Sequence, residues 1–285
     1  MRIGYAGLGV MGGPMARHLI TAGHDVAGYN RSPAKAQAWA EAHGGRFAGT
    51  AAEAASGAEL FVLCVGNDDD VRQVVSEALA VLEPGAVIVD HTTTSARVAR
   101  EMAQASQAQA VSFIDAPVSG GQAGAENGQL SVMAGGDAEA LDRARPVLMA
   151  YSKAIQHMGP PGAGQLTKMV NQIAIAGVVQ GLAEAVHFAQ AAGLDTDRVY
   201  EAISKGAAQS WQMDNRWKTA AKGEFDFGFA VDWMRKDLGL VLDEAQANGA
   251  RLALTELVDG YYAEVQAMGG GRWDTSSLKA RLPAP

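Results

Sequence analysis

Lys168, Asn171 and Gln172 stand at spacing i, i+3 and i+4 in the stretch Gly162-Ala-Gly-Gln-Leu-Thr-Lys-Met-Val-Asn-Gln172. On a helix they share one face. An amine flanked by amides can move a proton and hold an oxygen in place. Partial burial near a helix start would bring its pKa toward neutrality. A surface lysine on an amphipathic helix has the same spacing, so the pattern alone leaves both readings open. A second stretch, Asp115-Ala-Pro-Val-Ser-Gly-Gly121, continues to Gly124, Gly128 and Gly136. A strand that runs into proline, Ser119 and the paired Gly120 and Gly121 exposes amides and a hydroxyl able to grip a carboxylate. It also reads as an ordinary glycine-rich turn in which Asp115 only caps.

A third stretch supplies a partner for such a site. Gly7, Gly9 and Gly12 follow the apolar run Ile3–Ala6 and lead into a predicted helix over Met11–Thr21. This is the G-x-G-x-x-G turn on which a dinucleotide's pyrophosphate meets a helix N-terminus, with Leu8, Val10 and Met11 completing the loop. The next strand, Asp25–Tyr29, ends at Asn30-Arg31-Ser32. An NAD site places an acidic residue about twenty positions past the last glycine to take the ribose hydroxyls. A neutral Asn30 followed by Arg31 instead suits a 2′-phosphate. NADP is therefore the preferred cofactor and NAD a possible one; the competing reading of Arg31 is a solvated loop residue.

The elements that must position these residues alternate between strand and helix. After Asp25–Tyr29 come a helix from Pro33 to about His43, with Ser32 as N-cap, and a short helix with Thr50 and Glu53 at capping-box spacing. A continuously apolar run follows at Glu59–Val65, then a helix capped by Asn67 and Asp68–Asp70. Strand Ala86–Asp90, a helix from Ser95, and strands Ala110–Ile114, Leu130–Ala134 and Ala154–His157 complete the alternation, with a helix after Asp137. The pattern implies a doubly wound, mostly parallel sheet of the Rossmann type over residues 1–162. Residues 163–285 read as all-helical: Gln165–Ala192, Asp197–Lys205, Ser210–Lys222, Val231–Asn248 and Thr255–Met268, the first helix joining the domains.

Composition narrows the partners. The chain has 285 residues, 48% of them apolar, and a formal net charge of −8. That balance disfavours nucleic acid or an anionic membrane as a general partner. The single cysteine, Cys64, excludes an internal disulfide and suits a reducing cytoplasm; inside its apolar run it reads as an inert core thiol. The N-terminus enters directly a strand the cofactor site needs, so no cleaved signal is expected. The apolar segment Ile173–Val179 is too short to span a bilayer. The histidines form no metal constellation: His18, His43 and His187 read as packing or surface positions, and His91 as structural. Trp211, Met213 and Trp233 read as helical-domain core or subunit contacts rather than pocket lining.

GLGVMGGPMA, NRS, DAPVSGG and G-x-G-x-x-x-K-x-x-N, in this order and spacing, resemble the β-hydroxyacid dehydrogenases along the whole chain. Lys236-Asp-Leu238 and Asp274-Thr-Ser-Ser-Leu278 resemble that family's late blocks, with Ser277 where alanine is usual. The resemblance implies Lys168 as catalytic acid/base and Asn171 with Gln172 as substrate-orienting groups, although some members carry a second asparagine at the Gln172 position. It further implies Ser119, Gly120 and Gly121 as the carboxylate grip, Thr93 near the nicotinamide ribose, and Lys236 lining the cofactor and substrate cleft. The implied activity is hydride transfer between NADP(H) and a small carboxylate-bearing semialdehyde or keto acid, in a homodimer or homotetramer. Glyoxylate, succinic semialdehyde, tartronate semialdehyde and methylmalonate semialdehyde all fit. No basic cluster matches a sugar-phosphate pocket. Alternatives are an imine reductase, which usually lacks the lysine, and a non-catalytic NADP-binding scaffold.

Overall fold

A computed structural model describes residues 1–283. It divides into two compact units, Met1–Lys168 and Met169 onward. In the first, β1 (Arg2–Ala6), α1 (Gly12–Thr21), β2 (Asp25–Tyr29), α2 (Pro33–His43), β3 (Arg46–Phe47), α3 (Ala51–Ala55), β4 (Leu60–Leu63) and α4 (Asp68–Leu79) succeed one another. They are followed by β5 (Val87–Asp90), α5 (Ala96–Gln107), β6 (Ser112–Asp115), β7 (Val118–Ser119), α6 (Gly121–Glu126), β8 (Leu130–Gly135), α7 (Ala138–Leu148) and β9 (Ser152–Gly159). The sheet order is β3-β2-β1-β4-β5-β6-β8-β7, with β9 on β8. The first six strands run parallel; β8 is antiparallel to β6 and β7 and parallel to β9.

Side-chain alternation along these strands feeds two separate cores, one on each face of the sheet. Ile3, Tyr5, Leu60, Val62, Val87 and Val89 pack with Met15 and Leu19 of α1, Trp39 of α2 and Leu141 and Leu148 of α7. Ala6, Phe61, Leu63 and Ile88 pack on the opposite side with α3, α4 and α5. Both faces being covered explains why β4 is apolar without interruption.

Most helix starts are made as expected. Asn67, Ser95 and Asp137 accept from the amides of Asp70, Val98 and Ala140 at 2.8–3.1 Å, each worth about 1 kcal/mol. Thr50 accepts from the Glu53 amide, but the Glu53 carboxylate returns to the Gly49 amide rather than to Thr50, so the predicted capping box closes one residue early. Ser32 holds the N-cap position before Pro33 without a side-chain capping bond. Periodicity did not reveal β3, β7 or α6: they have two, two and six residues, too few to show a repeat.

The second unit is helical. α8 (Ala163–Ala191) begins in the first unit and continues into the second, followed by α9 (Thr196–Ile203), α10 (Trp211–Lys222), α11 (Val231–Asn248), α12 (Ala253–Ala267) and a 3-10 helix over Thr275–Arg281. Ala176, Val179 and Ala183 of α8 pack with Val231, Met234 and Leu238 of α11 and Val258, Tyr262 and Val265 of α12. Val186 packs with Met213 and Trp217 of α10. At 29 residues α8 is long and apolar enough to cross a membrane by length and composition, against the expectation drawn from Ile173–Val179 alone. The helix continues through Gln180, whose amide bonds Glu184 one turn on, and its buried residues form this core.

The start of α8 is held by one carboxylate. Asp115, the last residue of β6, is fully buried and accepts from the amides of Gly162 (2.7 Å) and Gln165 (2.9 Å). Gly164 lies so close to the Asp115 and Met133 carbonyls that a Cβ there would overlap them. Burial pushes the Asp115 carboxyl up to about 6 although these amides pull the other way. The unfolded group titrates near 3.8, so its contribution to stability is complete below that value and is lost as pH rises through about 6. Asp115→Asn replaces the carboxyl with a side chain that does not titrate and so removes this dependence. In urea denaturation wild type should lose stability relative to Asp115→Asn as pH rises from about 4 through about 6; a pH-independent difference would contradict this.

Candidate active site

The parallel register aligns Tyr29, Ala6, Leu63, Asp90 and Asp115 in one row at the carboxyl ends of five strands. The next residues, Asn30, Gly7, Cys64, His91 and Ala116, therefore open neighbouring loops along one edge. The strand order reverses between β1 and β4, which is where an open α/β sheet makes a crevice.

The glycine turn fits a dinucleotide. A Cβ at Gly7, where φ is +93°, would overlap the Cys64 carbonyl, and one at Gly12 would overlap the Gly7 carbonyl. Those two glycines close the turn. A Cβ at Gly9 would meet nothing within 4 Å, so its backbone faces open space that a pyrophosphate can enter. No side chain caps α1 and its first turn holds no acid, which leaves the N-terminal field for an anion. Asn30 is committed to this turn: its Oδ1 accepts from the Leu8 amide at 3.1 Å. Arg31 next to it is 87% exposed and meets Asp70 at 3.2 Å, a pair worth at most about 1 kcal/mol in water. Cys64, expected within the strand, lies just past the end of β4 and is partly exposed.

Thr93 is the partly exposed member of a threonine run whose neighbours Thr92 and Thr94 are buried. Thr92 Oγ1 accepts from the Val65 amide (3.0 Å), and Ser95 donates to Asp68 from its amide and hydroxyl. Gln165, fully buried on the first turn of α8, donates to the Thr92 carbonyl (2.7 Å) and accepts from the Thr94 amide (3.0 Å). His91 is buried between the Ala116 carbonyl (2.6 Å) and the Tyr151 hydroxyl (2.7 Å). A carbonyl only accepts, so Nδ1 carries the proton; burial holds the imidazole neutral, with its pKa down at about 4. His91 thus ties the chain just after β6 to the end of β5. Ser119 ends β7, and Gly120 and Gly121, with φ of +133° and +61°, are exposed at the turn into α6. The far end of α6 is held to α1, where His18 and Arg17 contact the Glu126 carbonyl.

Lys168 lies on α8 one turn beyond Gln165 and is only 9% exposed. Asn171 and Gln172 follow on the same helix. Within the second unit Asn171 Nδ2 donates to Gln172 Oε1 (2.8 Å), and Gln172 Nε2 donates to Asp237 (2.7 Å). Asp237 is buried and forms an ion pair with Lys236 at 3.1 Å. Gln172, itself buried, serves here to orient Asn171. In the sequence Asp237 stands out only by its position inside the Lys-Asp-Leu block. Gln165 stands out only by its place in the Gly162–Gln172 stretch, and Tyr151 falls in no motif. Met213 is core, whereas Trp211 and Trp233 are 55% and 44% exposed, so the three do not share one role. Among the described residues no three His, Cys, Asp or Glu side chains gather as a metal-holding group.

Residues 2–159 match the family model for the NAD binding domain of 6-phosphogluconate dehydrogenase. Residues 162–282 match the model described as NAD-binding of NADP-dependent 3-hydroxyisobutyrate dehydrogenase. An uncharacterized oxidoreductase of Shewanella frigidimarina is 60% identical over 99% of this chain and 98% of its own. The solved structure of Mycobacterium tuberculosis 3-hydroxyisobutyrate dehydrogenase with L-serine matches at a TM-score of 0.91 and 34% identity, over 99% of both chains. Psf3 in complex with NADP+ and 2-OPP matches at 0.89 and 25% identity, over 99% of this chain and 100% of that one. With a dinucleotide turn, a buried lysine and these similarities, the chain belongs to the β-hydroxyacid dehydrogenase family and is an NAD(P)-dependent hydroxyacid dehydrogenase acting on CH–OH.

Proposed function

We propose that the chain prefers NADP(H) and interconverts a small carboxylate-bearing semialdehyde or keto acid with its hydroxy acid, using Lys168 as general acid/base. The observation that carries this reading is Lys168 itself, a lysine 9% exposed on a helical turn whose start is pinned by Asp115. The relative solved with L-serine is named with a small molecule bearing both a hydroxyl and a carboxylate, and another relative is solved with NADP+.

Gly7–Gly12 would hold the pyrophosphate, and Asn30, Arg31, Ser32, Thr93 and Lys236 the remainder of the cofactor. The weak, exposed Arg31–Asp70 pair leaves the guanidinium able to meet a 2′-phosphate, and Ser32 spends no side-chain bond on capping. When bound, NADPH supplies the hydride. Ser119 with the Gly120 and Gly121 backbone grips the carboxylate. Asn171, held through one Nδ2 hydrogen to Gln172, offers Oδ1 as an acceptor that orients the reacting hydroxyl. In reduction the Lys168 ammonium stabilises the carbonyl oxygen as it gains charge and gives it a proton; in oxidation the neutral amine takes the hydroxyl proton. Self-association as a dimer or tetramer belongs to the same proposal, supported by exposed Val170, Val178 and Phe188 on α8.

Lys168→Ala should lower turnover about 10²- to 10⁴-fold with NADPH affinity nearly intact, measured by absorbance on a semialdehyde panel and by NADPH fluorescence. Near-normal turnover would remove Lys168 from the mechanism. Gly9→Ala should keep the fold yet weaken NADPH binding, because the added methyl enters the open space of the turn. Gly12→Ala should instead unfold or strongly destabilise the chain, seen as a large loss of Tm. Arg31→Asp should shift preference from NADPH toward NADH; an unchanged preference would refute the 2′-phosphate assignment.

A further inference from the structure

Gln165 has a fully buried amide, and an amide so placed must find partners for both its donor and its acceptor. Its Nε2 reaches the carbonyl of Thr92 and its Oε1 the amide of Thr94, so one side chain brackets Thr93 from both sides. The Gln165 backbone amide is bound in turn by Asp115, at the end of β6. Lys168 follows three positions later on the continuous helix. The loop after β5, the end of β6 and the lysine-bearing turn are thus joined through a single residue.

We propose that Gln165 is a positioning residue for the reaction: it locks the Thr93 peptide and the Lys168 turn into one body, fixing the spacing between the nicotinamide-side loop and the proton donor. This rests on the reading of Lys168 as acid/base. Hydride and proton arrive at the adjacent carbon and oxygen of one carbonyl. An error in that spacing therefore falls on turnover more than on binding, and a displacement of about 1 Å can cost about 10²-fold. The glutamine suits the task because it donates to one peptide and accepts from another, which no carboxylate or hydrocarbon of its size does at neutral pH.

The test uses the full chain with Gln165→Met, which keeps the volume and removes both bonds, and Gln165→Glu, which keeps the acceptor. Both should lower kcat about 10- to 100-fold with NADPH affinity, read by fluorescence, changed less than about threefold. In a Lys168→Ala background, adding either substitution should cost less than about twofold, because a residue acting through the lysine has nothing left to position. A full multiplicative loss in that background overturns the role of Gln165 alone. Near-normal turnover of Lys168→Ala by itself overturns the acid/base reading and the proposal with it. Should Gln165→Met fail to fold, Gln165→Glu carries the same cycle. Wild-type kcat in either folded variant overturns the proposal.

Discussion

The in-register parallel ladder is the constraint on which the rest depends. Parallel pairing places Tyr29, Ala6, Leu63, Asp90 and Asp115 side by side, so loops far apart in sequence emerge together. Four loops that carry candidate residues follow this row: the glycine turn after Ala6, Asn30-Arg31 after Tyr29, the threonine run after Asp90, and, past Asp115 and β7, the serine-glycine turn. A slip of one residue in any strand would turn that strand's side chains to the opposite face and into the wrong core. The apolar alternation that fills those cores is thus also what aligns the site.

Polar groups buried beyond that row convert alignment into fixed geometry. Asp115, Gln165 and His91 are each almost wholly removed from water and each is bonded to backbone groups of another element. Such groups stabilise little on balance, because desolvation offsets much of each bond, but leaving one partner unpaired is costly. They therefore specify arrangement more than they add stability. The second unit repeats the device, where Asp237 directs Gln172 and Gln172 directs Asn171.

Much was legible before any coordinates. The glycine turn, β2 and α11 stand at the residues expected, because each is long or punctuated enough to show its own period or cap. The Ser119-Gly120-Gly121 block was legible as a motif but not as structure: Val118-Ser119 pairs as a two-residue strand and Gly121–Glu126 closes a short helix. Neither is long enough to show a repeat, and β7 exists only because β8 is beside it. Arg31 was legible as a cation just after β2, whereas its exposed pairing with Asp70, which lies on α4, was not.

The sequence by itself determined the longer elements, the sheet's class and the residue types able to carry chemistry, since these follow from local periodicity, capping and side-chain pKa ranges. Its spacing to Asn171 and Gln172 left Lys168 open between a site residue and a surface lysine, and only the resemblance favoured the former. Tertiary structure alone decided which groups hold them: Gln165 on Thr92 and Thr94, Asp115 on the start of α8, His91 on Ala116, Asp237 on Gln172. Those partners lie tens of residues apart, and no local pattern encodes a contact across such a distance. Burial likewise had to be observed, for a lysine at 9% exposure and one in open solvent present the same letters in the same order. The physical reason is common to both: pairing and desolvation are properties of the packed chain, set only when distant segments close around a site.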